Sequence, residues 1–247
     1  MESADHFADR ERPDSDACAV NASVVIPVFG AEDLLTNCLR AIWTTTDTSQ
    51  GNLEIVLVDN GTGYEMFADT VIRNPENLGY AVACNQGAKA ATADILVMLN
   101  VDTEVQPGWL PPLLAAFDDP EVAMAGPRII HPDGSLQTAS GIRTWHGGGG
   151  AGGEEMKIDG PSCDADGVTG ACMVVRKNVY DILGGMCELY WAGNEDVDLC
   201  LTVREAGHRI RYVAESCITH IEGASGAARW VRVHENVALL NQRWGSR

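Results

Sequence analysis

The chain has 247 residues, 45% hydrophobic and 21% charged, the size and composition of one sizeable folded domain. Its 17 basic residues face 35 acidic ones, a formal net charge of -18. That balance excludes broad nucleic-acid contact and a polybasic membrane patch, both of which run on Lys and Arg. The 8 cysteines form no Cys-x-x-Cys pair and several lie inside apolar runs, so they read as buried reduced thiols rather than a disulfide framework. No leader-like apolar segment opens the sequence, and no apolar run approaches the roughly 20 residues that span a bilayer. The expectation is a soluble, cytoplasmic protein.

Taken in chain order, residues 1–21 are acidic, polar and aperiodic, and are expected to be a disordered tail. Ser23–Val28 reads as a short buried strand. Leu34, Leu35, Cys38, Leu39 and Ile42 recur at helical spacing across Ala31–Thr46. Leu53–Val58 is a second strand, followed by a short helix or turn through Val71. Gly79–Ala91 is Ala-rich and helical, and Asp94–Leu99 is a third strand. Such alternation predicts a parallel sheet with right-handed crossovers. Pro107–Phe117 is a helix with prolines in its first turn. Val122–Ile130 and Val168–Val175 are strand-like. Between them, residues 147–153 are nearly all glycine, read either as a lid or as a slack loop. Lys177–Leu183 and Asn194–Ala206 are helices, Arg209–Val213 and Cys217–His220 short strands, and Ala227–Trp244 a closing amphipathic helix. The apolar side of that last helix is expected to pack on the core, with a peripheral membrane contact as the alternative.

The chemistry gathers at strand ends. Val58 runs into Asp59-Asn60, and Leu99 into Asn100-Val101-Asp102. In an open α/β sheet, carboxylates at the carboxyl ends of strands edge the ligand crevice. Asp59 can accept hydrogen bonds from a nucleotide base or ribose, and Asp102 suits a hard divalent cation. Each can instead simply cap the helix that follows. Asn77 and Gly79 open a helix whose amides can cradle phosphate, or form an ordinary cap. Glu195, Asp196 and Asp198 crowd a helix start, where a solvated acidic turn offsetting the dipole is the plain explanation. His220 follows a strand and can ligate metal or serve structure. A metal site plus a separate carboxylate base is what group transfer from a nucleotide diphosphate requires.

In order along the chain stand Ser23-Val-Val-Ile-Pro-Val-Phe29, Val58-Asp-Asn60, Asn77-Leu-Gly-Tyr-Ala81, Asn85-Gln-Gly87, Leu99-Asn-Val-Asp-Thr103 and Pro107-Gly-Trp-Leu110. Val168-Thr-Gly-Ala-Cys172, Gly184-Gly-Met-Cys-Glu188, Glu195-Asp-Val-Asp-Leu-Cys200 and His220-Ile-Glu-Gly-Ala-Ser225 follow. This series resembles glycosyltransferase family 2, the inverting enzymes of the GT-A fold, and within it the rhamnosyltransferase-like branch. The resemblance covers residues 22–245. It implies an α/β GT-A fold: a Rossmann-like, mostly parallel central sheet flanked by helices, with a smaller mixed acceptor-side region. One domain would span 22–247, with 22–105 binding the nucleotide sugar and 106–247 carrying acceptor and catalytic groups. It further implies that Pro27, Phe29, Asp59, Asn77, Gly79, Asn85, Asn100 and Asp102 surround the nucleotide, and that Gly170 lines the donor sugar. Asp102 would hold Mg²⁺ or Mn²⁺, with His220 as a further ligand. Asp196 would be the catalytic base, with Glu195 beside it. The implied partners are a nucleotide-sugar donor, dTDP-rhamnose first, and a glycan, glycolipid or small acceptor.

Three positions depart from the family pattern. Gly30 replaces an Asn, Asp59-Asn-Gly-Thr-Gly63 lacks the usual Ser and Asp, and Cys187 replaces the Asp of Gly-Gly-x-Asp-Glu. Two other readings stand beside the enzyme. One is a sugar nucleotidyltransferase, which would want a basic, glycine-rich turn after the first strand where Phe29-Gly-Ala-Glu-Asp33 stands. The other is a non-catalytic nucleotide-sugar-binding protein of the same fold.

Overall fold

The computed structural model describes residues 21–30, 32–46, 53–138, 160–221 and 232–245. The expected tail and the glycine run at 147–153 lie outside these. Ten strands form one sheet: β1 (Ala22–Val28), β2 (Leu53–Asn60), β3 (Thr70–Asn74), β4 (Ile95–Leu99), β5 (Thr103–Val105), β6 (Val122–Ile130), β7 (Leu136–Thr138), β8 (Cys163–Ala165), β9 (Cys172–Arg176) and β10 (Arg209–His220). Their order is β3-β2-β1-β4-β9-β6-β10-β5, with β7 on β6 and β8 on β10. Strands β3, β2, β1 and β4 are mutually parallel. Strand β9 is inserted antiparallel between β4 and β6, while β10 runs parallel to β6.

The α-helices among the described residues are α1 (Glu32–Thr45), α2 (Tyr80–Ala90), α3 (Leu110–Ala115), α4 (Lys177–Ile182), α5 (Glu195–Glu205) and α6 (Val233–Trp244). Every residue of β1 is buried because both sheet faces are covered, as a continuous Val/Ile run requires. Val24, Ile26 and Val28 join the core under α1 and α3, whereas Val25 joins the core under α2, α4 and α5. A third, smaller core unites Tyr190, Val197 and Leu240 and seats α6 on α5. Among the described residues no helix is long and apolar enough to cross a membrane.

Three local expectations are corrected. The helix or turn expected through Val71 gives way at Thr70 to an edge strand, Thr70–Asn74, whose Thr, Val and Ile are β-branched and pair with β2. Residues 168–171, read as the start of a strand, form the turn entering β9. The two short strands at 209–213 and 217–220 are one strand with a register shift between Val213 and Cys217. There Ser216 is fully buried and its hydroxyl donates to the Trp109 carbonyl at 2.7 Å, so the polar break is absorbed.

Helix α2 packs close against β1 at Gly87. A Cβ added at Gly87 would lie 2.2 Å from Val25 Cγ1. Replacing Gly87 with alanine gains about 1 kcal/mol of helix propensity. Overpacking against a β-branched side chain in a buried strand costs about 1–3 kcal/mol and prevails. We expect the G87A protein to melt lower, at roughly 2–4 °C per kcal/mol, in a thermal unfolding scan. An unchanged or raised Tm would show that helix and strand separate freely.

Candidate active site

Strand β4 ends at Leu99, and the chain turns. The Asn100 amide donates to the Ala171 carbonyl at 3.0 Å, and the Thr103 hydroxyl closes the turn on the Asn100 carbonyl at 2.6 Å. Asp102 sits in this turn, 6% exposed. Thr103 then starts β5, which pairs antiparallel with the end of β10 and sets Thr103 opposite His220. That register brings two residues 118 positions apart together: Asp102 Oδ1 lies 3.2 Å from His220 Nε2. Gln137 Oε1 lies 2.9 Å from His220 Nδ1. An amide oxygen only accepts, so this contact puts the proton on Nδ1. Nε2 then faces the Asp102 carboxylate: as N–H it donates to that oxygen, and as a lone pair it can join the oxygen on a cation. Histidines that ligate metals commonly have the other ring nitrogen held in this way. Among the described residues no group of three or more His, Cys, Asp and Glu side chains could hold a metal. The pair fits a hard divalent ion that takes its remaining ligands from phosphate and water.

The other side of the edge is built by the turn before β9. The Gly170 amide donates to Asp196 Oδ2 at 2.8 Å, and the Val197 amide to Oδ1 at 2.9 Å. The Gly170 carbonyl accepts from the Tyr80 hydroxyl at 3.0 Å. A Cβ at Gly170 would approach Asp196 Cβ to 3.2 Å, so glycine permits this seat. Asn100 bonds to Ala171 and Asp196 to Gly170; Asp102 and Asp196 thus hang from neighbouring points of one sheet edge. Burial drives the Tyr80 hydroxyl pKa well up, and the nearby Cys84, Glu195 and Asp196 add to it, so Tyr80 stays a neutral donor.

Approaching α5, Gly193 and Asn194 both have left-handed backbone, φ 90 and 75. Asn194 is the one non-glycine with positive φ among the described residues, and such strain clusters where a site is aimed. The acidic trio that follows is no solvated turn. Glu195 and Asp198 are buried, and Asp196 is intermediate. Asp198 accepts from Tyr190 Oη (3.1 Å), Arg243 Nε (2.6 Å) and Trp244 Nε1 (2.8 Å), and so docks α6. Arg243 and Trp244 carry no sequence pattern that singles them out; only the fold pairs them with Asp198.

Asp59 ends β2 nearly inaccessible, at 1% exposure. One carboxylate oxygen accepts from the Thr62 amide and hydroxyl, each at 2.7 Å; the other accepts from the Gly63 amide at 3.2 Å and from Arg73 at 2.9 Å. Burial alone would raise its pKa, but these bonds outweigh it and the carboxyl sits below its ordinary value. A lowered folded pKa means stability that is full above the unfolded value near pH 4 and lost as pH falls through the folded value. We expect Asp59→Asn to destabilise at pH 7 by about 1–3 kcal/mol, the cost of weakening charged hydrogen bonds. The gap to wild type should close as pH falls below about 4. Tm measured from neutral to acid pH checks this; a gap constant with pH would contradict it.

Asn77 Oδ1 accepts from Asn60 Nδ2 (2.8 Å) and the Gly79 amide (2.9 Å), while Asn60 Oδ1 accepts from the Leu78 amide (3.0 Å). The Tyr80 amide donates to the Trp191 carbonyl at 3.3 Å. The amides at 78–80, expected to cradle phosphate, are therefore engaged within the chain. They fix the segment that presents Tyr80. Asn85 faces away from β2: its amide nitrogen reaches the Met186 carbonyl and Glu188, and its oxygen receives the Tyr180 hydroxyl and the Met186 amide. It therefore anchors the Gly184–Glu188 segment. Pro27 is buried within β1 opposite Val58, and Phe29, just past the strand, is 45% exposed. Tyr80, Gln137 and the Asn60 network were missed from sequence, since nothing local marks a polar residue whose partner lies tens of positions away.

Residues 23–183 match the model of Glycosyl transferase family 2, well over half of the chain. The chain belongs to this family. As a family 2 member it is 30% identical over 218 residues to the pre-mycofactocin glycosyltransferase of Mycobacterium tuberculosis (strain H37Rv), covering 85% of this chain and 44% of that one. It is 29% identical to the O-antigen biosynthesis protein RfbC of Myxococcus xanthus over 83% of this chain and 18% of that one. With the N-acetylglucosaminyl-diphospho-decaprenol L-rhamnosyltransferase of M. tuberculosis (strain CDC 1551) it shares 28% identity over 68% of this chain and 66% of that one. The chain thus spans less than half the length of the first two relatives. Among solved structures it resembles GalNAc-T7 bound to UDP, GalNAc and Mn2+ (TM-score 0.67, 19% identity, 82% of this chain and 43% of that one). A second is the mannosyltransferase PcManGT from Pyrobaculum calidifontis with GDP-Man and Mn2+ (TM-score 0.63, 18% identity, 87% and 61%). These likenesses establish the GT-A fold of this family 2 domain. The family match includes Asp59, Asp102 and Gly170 and stops short of Asp196 and His220.

Proposed function

We propose that this family 2 domain is a metal-dependent, inverting glycosyltransferase that moves a sugar from a nucleotide diphosphate to an acceptor hydroxyl. The observation that carries the reading is the joining of the Asp102–His220 pair to Asp196 through Asn100, Gly170 and Ala171 on one sheet edge. Asp102 and His220 would hold Mg²⁺ or Mn²⁺. The ion would supply charge stabilisation for the departing diphosphate, worth several kcal/mol. Asp196, held by two backbone amides, would take the proton of the attacking hydroxyl, a role typically worth about 10²–10⁴-fold. Tyr80 keeps the Gly170 peptide, and with it Asp196, in place. Attack at the anomeric carbon passes through an oxocarbenium-like state, and a single displacement inverts the centre.

The rhamnosyltransferase among the relatives supports dTDP-rhamnose as first donor to test, with a glycan or glycolipid as acceptor, on the cytoplasmic side. Residues 22–105 would bind the nucleotide sugar and 106–247 the acceptor. A thermal-shift screen of nucleotide sugars with Mn²⁺ tests the reading, because a ligand of the folded state raises its Tm by mass action. We expect one donor to raise Tm with metal and to do so less with EDTA. No shift from any nucleotide sugar would sink it.

A further inference from the structure

We propose that α6 is a clamp for the catalytic turn, and that Asn236 is a positioning residue for Asp196; this rests on the reading of Asp196 as the base. Asn236 lies in the first turn of α6 and is 3% exposed. Its single amide nitrogen donates to two consecutive carbonyls, Ala192 and Gly193, each at 2.8 Å. Those carbonyls immediately precede the two left-handed residues, Gly193 and Asn194, from which Glu195 and Asp196 are launched. Left-handed backbone is sparsely populated for a residue other than glycine and persists only where its surroundings hold it. Asn236 supplies that hold. A carboxamide is the side chain that can offer two N–H donors from one atom at this reach.

The rest of α6 is tied to the same place. Arg243 and Trp244 close on Asp198, two residues beyond the base, and Leu240 is fully buried against Tyr190 and Val197. Arg232, next to the helix, stacks over the Trp191 ring at 5.2 Å, on the residue before Ala192. The turn is thereby held from one side by Gly170 and from the other by a helix near the end of the chain. None of these α6 groups lies within the family match.

Asn236→Asp tests the clamp, because a carboxylate is nearly isosteric but turns an acceptor on two carbonyls. We expect kcat to fall by about 10²-fold, the scale of an ångström-sized misplacement of a catalytic group. Donor affinity by isothermal titration should be unchanged. Hydrogen exchange should quicken at the amides of 195–198, where Asp198 N–H normally donates to the Asn194 carbonyl. Ile42→Ala, a truncation in the core on the opposite sheet face, provides a protein of lowered stability for comparison. If Asn236→Asp loses no more kcat than Ile42→Ala, or if exchange at 195–198 is as slow as in wild type, the clamp is overturned. A wild-type protein that transfers no sugar would instead fail the transferase reading, and the exchange result would still decide whether Asn236 holds the turn.

Discussion

Replacing Asp196 with asparagine is expected to lower kcat by about 10²–10⁴-fold while donor binding is retained. The substitution is nearly isosteric. Its side-chain oxygen can still accept from the Gly170 amide, now 2.8 Å from Oδ2, which keeps the tie to the turn beside the Asn100–Ala171 bond, while the bond from the Val197 amide to Oδ1 is lost because an amide nitrogen accepts nothing. What is lost is a group able to accept a proton from an acceptor hydroxyl. Loss confined to kcat is the signature of an interaction made only in the transition state. Isothermal titration with the donor separates the cases. Weakened binding in the mutant would move Asp196 into the nucleotide site and leave the base unassigned.

Asp102→Ala is expected to remove metal-dependent donor binding. The carboxylate at 3.2 Å from His220 Nε2 would be gone, and an imidazole alone is a poor site for a hard cation. If the ion contributes several kcal/mol to stabilising the leaving diphosphate, transfer falls by about 10³-fold. Folding should be little affected, because Asp102 sits in a turn whose other bonds are made by backbone and by Thr103. Donor titrations with Mn²⁺ and with EDTA, on wild type and mutant, read the effect. Equal affinity in all four measurements would remove the metal from this site.

Much of the fold was legible in the sequence. Continuous Val/Ile/Leu runs marked β1, β2 and β4, because strands buried on both faces are dominated by apolar side chains. Helical spacing of Leu35, Cys38, Leu39 and Ile42 marked α1. The edge strand β3 was not legible: its intermediate burial gives neither an apolar run nor a clean alternation. The direction of β9 was also hidden, since strand sequences carry no sign of whether a neighbour runs parallel.

The site divides in the same way. Residue types at strand ends singled out Asp59 and Asp102, because a carboxylate beside an apolar run has a desolvation cost that something must offset, and the crowding of acids at a helix start singled out Glu195–Asp198. What offsets it was beyond the sequence. Asp59 is satisfied by Thr62, Gly63 and Arg73, Asp198 by Tyr190, Arg243 and Trp244, and Asp102 faces His220. The chain itself determined which acids lie at strand ends and that the sheet would bring those ends to one edge. Only the tertiary structure decided which acids are spent on holding loops or docking a helix and which sit beside His220 and Gly170. Apart from Thr62, Gly63 and Tyr190, that assignment depends on partners 14 to 118 residues away, set by strand register and helix docking rather than by local pattern.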